Sequence, residues 1–189
     1  MIKAIIFDCF GVLYSDGKSY LRNLCPPNQQ AELDNLYSQV DYGYISTEEF
    51  FKEASRLIGL DKETLQQTYF KQHVRNQQLV DYLKSLKTSY KIGLLSNVGD
   101  SLFDALFSKE EQKEFFDATV LSSSIGEIKP HPRAYQAVIE KLKVEPEECV
   151  MIDDIPANCE GARQAGMQAV HFVSNEKLKQ QLKHLLALQ

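Results

Sequence analysis

Residues Lys3-Ala4-Ile5-Ile6-Phe7 form a short apolar run that ends on a carboxylate, Asp8. The run is too brief for a core helix or a signal peptide, and Asp8 interrupts it. Apolar side chains at consecutive positions over about five residues indicate a strand buried on both faces of a sheet. The pattern returns at residues 90–95, 118–121, 149–152 and 168–172. Helical stripes lie between these runs. Leu79, Val80, Leu83 and Leu86 mark one face; Tyr135, Val138, Ile139 and Leu142 mark another. Pro132 and Pro156 suit the first turn of a helix, and Gly166 after Ala165 suits a helix stop. A last helix over 175–187 sets Leu178, Leu182 and Leu185 on one side and its lysines on the other. Alternating strand and helix predicts an α/β fold, a doubly wound parallel sheet of Rossmann-like type.

One segment departs from this alternation. From Asp16 to Val74 the pattern is helix after helix, punctuated by Pro26-Pro27 and by a turn at Tyr42-Gly43-Tyr44. Ser46 and Glu49 have capping-box spacing, Gly59 suits the end of that helix, and Asp61 suits the cap of the next. The expected organisation is an α/β core from residues 1–15 and 75–189, with a helical insertion, 16–74, between the first strand and its helix.

The chain has 189 residues, 26 acidic against 21 basic, for a net charge of −5. This length suffices to bury a core without disulfides or a structural metal. The acidic balance opposes a nucleic-acid or anionic-membrane surface, either of which needs a basic face, but allows a local basic pocket. Cys9, Cys25, Cys149 and Cys159 show no paired spacing for metal or redox chemistry, which suits a reducing compartment. No stretch approaches the roughly 18 apolar residues of a membrane span. The expectation is a soluble, cytoplasmic protein, monomer or homodimer.

In an open α/β sheet, ligands bind beyond the carboxyl ends of the strands. The first run ends in Asp8, the second in Ser96-Asn97, and the fourth in Asp153-Asp154, with Asn158 beyond. A loop carrying Lys129 follows the third. Each has an ordinary reading as a cap, a turn former or a solvated charge. Asp153-Asp154 is the hardest to explain so, because adjacent buried carboxylates are costly unless a cation neutralises them. In register, these groups suggest phosphoryl transfer. Mg²⁺ binds carboxylates together with a substrate phosphate. Asp8 would attack phosphorus, while Ser96, nearby amides and Lys129 hold the phosphoryl oxygens.

These residues fall in four ordered motifs: Ile5-Ile6-Phe7-Asp8-Cys9-Phe10-Gly11-Val12-Leu13, Ile92-Gly93-Leu94-Leu95-Ser96-Asn97, Gly126-Glu127-Ile128-Lys129-Pro130, and Val150-Met151-Ile152-Asp153-Asp154 with Asn158. In this the chain resembles the haloacid dehalogenase-like (HAD) hydrolase superfamily over nearly its whole length. Its segment around Gly43-Tyr44-Ile45-Ser46 and Glu49-Phe50 resembles the small helical cap of one subgroup. The resemblance implies that Asp8 is the nucleophile and a metal ligand. It implies that Ser96 and Asn97 bind the phosphoryl group and that Lys129 steadies Asp8 and the transferred charge. Asp154 would be the principal Mg²⁺ carboxylate, with Asp153 direct or through water, and Asn158 would orient them. The remaining metal contact would be the backbone carbonyl of Phe10.

One position departs from the pattern. Phosphatases of this superfamily carry a second Asp two residues after the nucleophile, as acid and base; here that residue is Phe10. Losing such help costs about 10²- to 10⁴-fold. Asp16 is the nearest later carboxylate, and the flap after the first strand is not expected to carry it to the same place. The leading expectation is a phosphatase-type hydrolase of a small phosphorylated molecule, with weak or atypical turnover. A binding or regulatory protein that has lost turnover comes second. A carbon–halogen hydrolase comes third: dehalogenases of the superfamily also place an aromatic residue at this position, but lack the acidic pair. Tyr42 and Tyr44 flank Gly43 in a turn and are candidates to face the pocket, with buried packing the leading expectation for at least one of them.

Overall fold

The computed structural model describes residues 1–187. Its strands are β1 (Ala4–Phe7), β2 (Lys91–Ser96), β3 (Ala118–Leu121), β4 (Cys149–Asp153) and β5 (Gln168–His171). They form one parallel sheet in the order β3-β2-β1-β4-β5. Each expected run is a strand, within one residue at either end. The central place of β1 explains why its sequence is uniformly apolar: all four of its residues are buried. Ile5 and Phe7 join one apolar cluster and Ala4 and Ile6 the other, as the period of two requires.

Helices α1 (Lys18–Leu24), α2 (Gln30–Asp41), α3 (Thr47–Ile58) and α4 (Lys62–Lys71) follow β1 directly. The Ser46–Glu49 capping box is present, Gly59 closes α3 at φ 78°, and Asp61 caps α4. The chain then continues through α5 (Gln77–Leu86), α6 (Asp100–Leu106), α7 (Lys109–Phe115), α8 (Ser122–Ile125), α9 (Pro132–Leu142), α10 (Pro156–Gln164) and α11 (Asn175–Ala187). Both apolar stripes read from the sequence are buried, on α5 and α9. Helices α6 and α7 are seven residues each, too short for a helical period to emerge from sequence.

The four helices after β1 share one continuous apolar cluster with a face of the sheet: Leu33, Phe50, Phe51 and Leu65 lie in it with Phe7, Leu94 and Ile152. The chain enters and leaves this region side by side, with Ser15 N donating to Val74 O at 3.0 Å and Asn76 N to Leu13 O at 2.9 Å. Arg75 secures the junction. Its guanidinium donates twice to Glu111 (2.6 and 2.9 Å) and once to the Tyr14 hydroxyl (2.6 Å). Nearer the sheet edge, Gly43 (φ 76°) approaches Ser123 so closely that a Cβ there would fall 2.5 Å from its carbonyl oxygen. No helix among the described residues is long and apolar enough to cross a membrane.

Candidate active site

Parallel registration brings the polar strand ends together. Phe7 is level with Leu94 of β2 and Ile152 of β4, so Asp8 emerges level with Asp153 on one side and with Leu95, one residue short of Ser96, on the other. Lys129 arrives from the loop after β3. Asn97 holds that loop in place with a reciprocal pair: its Oδ1 accepts from Lys129 N at 2.8 Å and its Nδ2 donates to Lys129 O at 3.1 Å.

The Lys129 ammonium is buried, 3% exposed, and lies 2.8 Å from Asp8 Oδ1 and 2.6 Å from Asp153 Oδ2. Burial alone would lower its pKa, but the two carboxylates outweigh that and hold it above the ordinary lysine value. Asp153 is fully buried and committed on both oxygens. Oδ1 accepts from Ile155 N (2.9 Å) and Asn158 Nδ2 (3.0 Å); Oδ2 accepts from Lys129 and more distantly from Asn158 (3.2 Å). Asp8 Oδ1 also accepts from Cys9 N at 2.7 Å, while Oδ2 makes neither of these contacts. Burial raises the Asp8 pKa first and the Asp153 charge adds to it; Lys129 acts in the opposite direction. Burial and the Asp153 charge raise Asp154 likewise.

Two polar atoms here are buried without a partner among the described residues: Ser96 Oγ and Asp154 Oδ1. Asp154 reaches its place because Gly11, at φ 78°, has no side chain; a Cβ there would lie 2.1 Å from Asp154 Oδ2. Carboxylate oxygens of Asp8, Asp153 and Asp154 lie within 4.8 Å of one another. Three carboxylates against one ammonium leave an excess of negative charge in a largely buried site. A hard divalent cation would offset that excess and complete Asp154 Oδ1, so this donor set fits Mg²⁺.

A model of the haloacid dehalogenase-like hydrolase family matches residues 2–166. The chain belongs to that family. Over 98% of its length this hydrolase is 26% identical to the D-ribitol-5-phosphate phosphatase of Bacteroides thetaiotaomicron, of which the match spans 99%. Its fold is similar to that of a HAD-like hydrolase from Porphyromonas gingivalis, at a TM-score of 0.82 and 26% identity over 98% of each chain. It is also similar to a HAD-family enzyme from B. thetaiotaomicron crystallised with magnesium and inorganic phosphate. There the TM-score is 0.78 and the identity 24%, over 93% of this chain and 96% of the other.

Of the residues named from sequence, Asp8, Phe10, Ser96, Asn97, Lys129, Asp154 and Asn158 line one cleft of about 120 Å³ in this hydrolase. Asp153 lies beneath it, taken up with Lys129 and Asn158. Phe10 is half-buried, its ring edge-to-face with His73 at 5.2 Å. Three further residues line the cleft: Asp16, Lys18 and Ile155. The flap brings Asp16 to the lining of this cleft, which the sequence reading, concerned with the Phe10 position itself, did not anticipate. The tyrosine expectation also changes. Tyr44 is exposed and stacks on Tyr42, with ring centroids 5.4 Å apart, and neither lines the cleft. Helices α2 and α3 instead present Tyr37, Asp41, Phe50 and Phe51 to a narrower hollow that shares Phe10, Asp16, Lys18 and Asn97 with the cleft. Asp41 carried no motif; its pairing with Lys18 at 2.8 Å joins residues far apart in sequence and is visible only in the fold.

Proposed function

We propose that this hydrolase is a Mg²⁺-dependent phosphatase acting on a small phosphate ester or anhydride through an aspartyl-phosphate on Asp8. The carrying observation is the Lys129 ammonium, buried against Asp8 and Asp153 beside the unpartnered Ser96 Oγ and Asp154 Oδ1. Asp8, Asp154 and the Phe10 carbonyl would hold the cation, with Asp153 reaching it through water. Bound there, Mg²⁺ supplies charge neutralisation between carboxylate and phosphate. Asp8 Oδ2 attacks phosphorus while Oδ1 stays fixed by Lys129 and the Cys9 amide. Ser96 Oγ donates to a phosphoryl oxygen, and Lys129 balances the charge that moves there. The Asn97 side chain is spent on the Lys129 backbone, so its part in anion binding falls to its own N–H. Residues 16–74 act as a helical cap that shields the cleft from water.

The relative named for D-ribitol-5-phosphate supports a small phosphorylated substrate. Four free, buried cysteines support a reducing, cytoplasmic setting, and the net charge of −5 supports neither nucleic acid nor membrane as partner. A second reading, a binding protein that has lost turnover, draws on Phe10, whose ring transfers no proton. The retained pair Asp153-Asp154 weighs against carbon–halogen hydrolysis.

The test is Mg²⁺-dependent hydrolysis of 4-nitrophenyl phosphate by wild type, Asp8→Asn and Phe10→Asp. Turnover by wild type, its loss in Asp8→Asn and a gain in Phe10→Asp are expected. No hydrolysis by wild type or Phe10→Asp overturns the phosphatase reading in favour of the binding one.

A further inference from the structure

Phosphate-ester hydrolysis through a carboxylate needs a proton for the departing alkoxide and then a base for the attacking water. Three carboxylates line the cleft: Asp8, Asp16 and Asp154. Asp8 is bonded to Lys129, and Asp154 belongs to the cation site. Lys18 is paired with Asp41 and Lys129 with two carboxylates. Asp16 forms no ion pair among the described residues; its Oδ1 accepts one hydrogen bond, from Lys18 N at 3.1 Å. It is also exposed, so it can exchange protons with solvent.

Its position is well defined. Gly17, the next residue, is buried so tightly that a Cβ there would lie 2.7 Å from His73 Cε1 and 2.9 Å from Tyr69 Cε2. On the other side, Ser15 N donates to Val74 O at 3.0 Å and Ser15 Oγ accepts from Val74 N at 2.7 Å. The His73 ring that Gly17 abuts is also the one against which Phe10 packs. Asp16 therefore shares with Phe10 the lining of both the cleft and the hollow under the inserted helices.

Building on the phosphatase reading, we propose that Asp16 is the catalytic acid and base of this hydrolase. In the first step Asp8 Oδ2 forms a bond to phosphorus, the bond from phosphorus to the ester oxygen breaks, and the Asp16 carboxyl gives its proton to that oxygen. In the second step a water oxygen bonds to phosphorus and the Asp16 carboxylate takes the water's proton. The bond to Asp8 breaks, releasing inorganic phosphate and restoring the Asp8 carboxylate.

The experiment compares wild type and Asp16→Asn, with Mg²⁺, on 4-nitrophenyl, phenyl and ethyl phosphate. First-turnover release of the alcohol and steady-state turnover are both measured. Asn keeps an oxygen for Lys18 N but carries no transferable proton, so a purely structural role survives this substitution. Expected is a first-turnover loss of about 10²-fold on phenyl and ethyl phosphate. With 4-nitrophenyl phosphate the leaving group needs little protonation, so the first turnover is spared while later turnovers slow and aspartyl-phosphate accumulates. Equal rates for both proteins, or an equal loss on all three esters, overturn the assignment of Asp16 alone. Absence of turnover by wild type on every ester overturns the phosphatase reading and this assignment together.

Discussion

Replacing Lys129 by Met leaves two buried carboxylates, Asp8 and Asp153, facing one another without the ammonium between them. At an effective dielectric of about 20, pairs at 2.8 and 2.6 Å each represent an attraction of about 6 kcal/mol. The cost of burying the lysine offsets much of that. What remains is the cost of breaking a buried pair, about 3–5 kcal/mol. For a chain of this size each kcal/mol lowers Tm by about 2–4 °C, so the variant should melt about 6–20 °C below wild type in EDTA. Urea denaturation with EDTA at pH 7.5 provides the free energy directly. Making the same change in an Asp8→Asn background should cost less, because one of the two uncompensated charges is already gone, and the double-mutant cycle measures that coupling. A Lys129→Met protein that melts within about 2 °C of wild type, or a cycle without coupling, would refute the view that this ammonium holds the site together.

Three further outcomes follow from the same geometry. Folded Asp8 has a pKa above the ordinary 3.8, so the metal-free folded chain binds more protons than the unfolded one, and the Asp8 contribution to stability falls as pH rises from the ordinary carboxylate range through the raised value. Asp8→Asn should therefore be more favourable relative to wild type at pH 8 than at pH 5, in EDTA by urea denaturation; the reverse trend contradicts the sign. Gly11→Ala places a Cβ on the Asp154 carboxylate at a left-handed φ, so Mg²⁺ should raise the Tm of wild type but not that of the variant. Arg75→Met removes the paired bonds to Glu111 and the bond to Tyr14, and should cost about 2–3 kcal/mol by urea denaturation.

Strand identity was legible because the sheet is parallel and covered on both faces. The inner strands had to be apolar runs, and they occur at separated places; the edge strand β5, Gln-Ala-Val-His with only Val170 buried, is the least regular of the five. The capping signals at Ser46, Gly59 and Asp61 were legible because they depend on contacts within one turn of helix. The strand-end polar residues were legible for a similar reason: a parallel sheet brings every carboxyl end to the same edge, so position along each run was enough. The direction of the tyrosines in the 42–44 turn was not legible, because a turn reveals flexibility and polarity but not direction. In the fold they stack on each other and line neither the cleft nor the hollow, which the apolar face of α3 meets instead.

The sequence by itself determined the α/β core, the helical stretch after β1 and the set Asp8, Ser96, Lys129, Asp153 and Asp154, since all of these follow from local apolar period and from what ends each run. Only the tertiary structure decided how those groups divide the work. Asp153 is consumed in holding Lys129 and Asn158, Asn97 is spent on the backbone of Lys129, and Asp154 is left with an unpartnered oxygen. It also decided that Asp16 lines the cleft. Asp16 lies six positions beyond Phe10 on an irregular segment whose path has no period to read. Its place depends on Gly17 packing against His73 and Tyr69, residues more than fifty positions away, and a contact of that range exists only once the chain has folded.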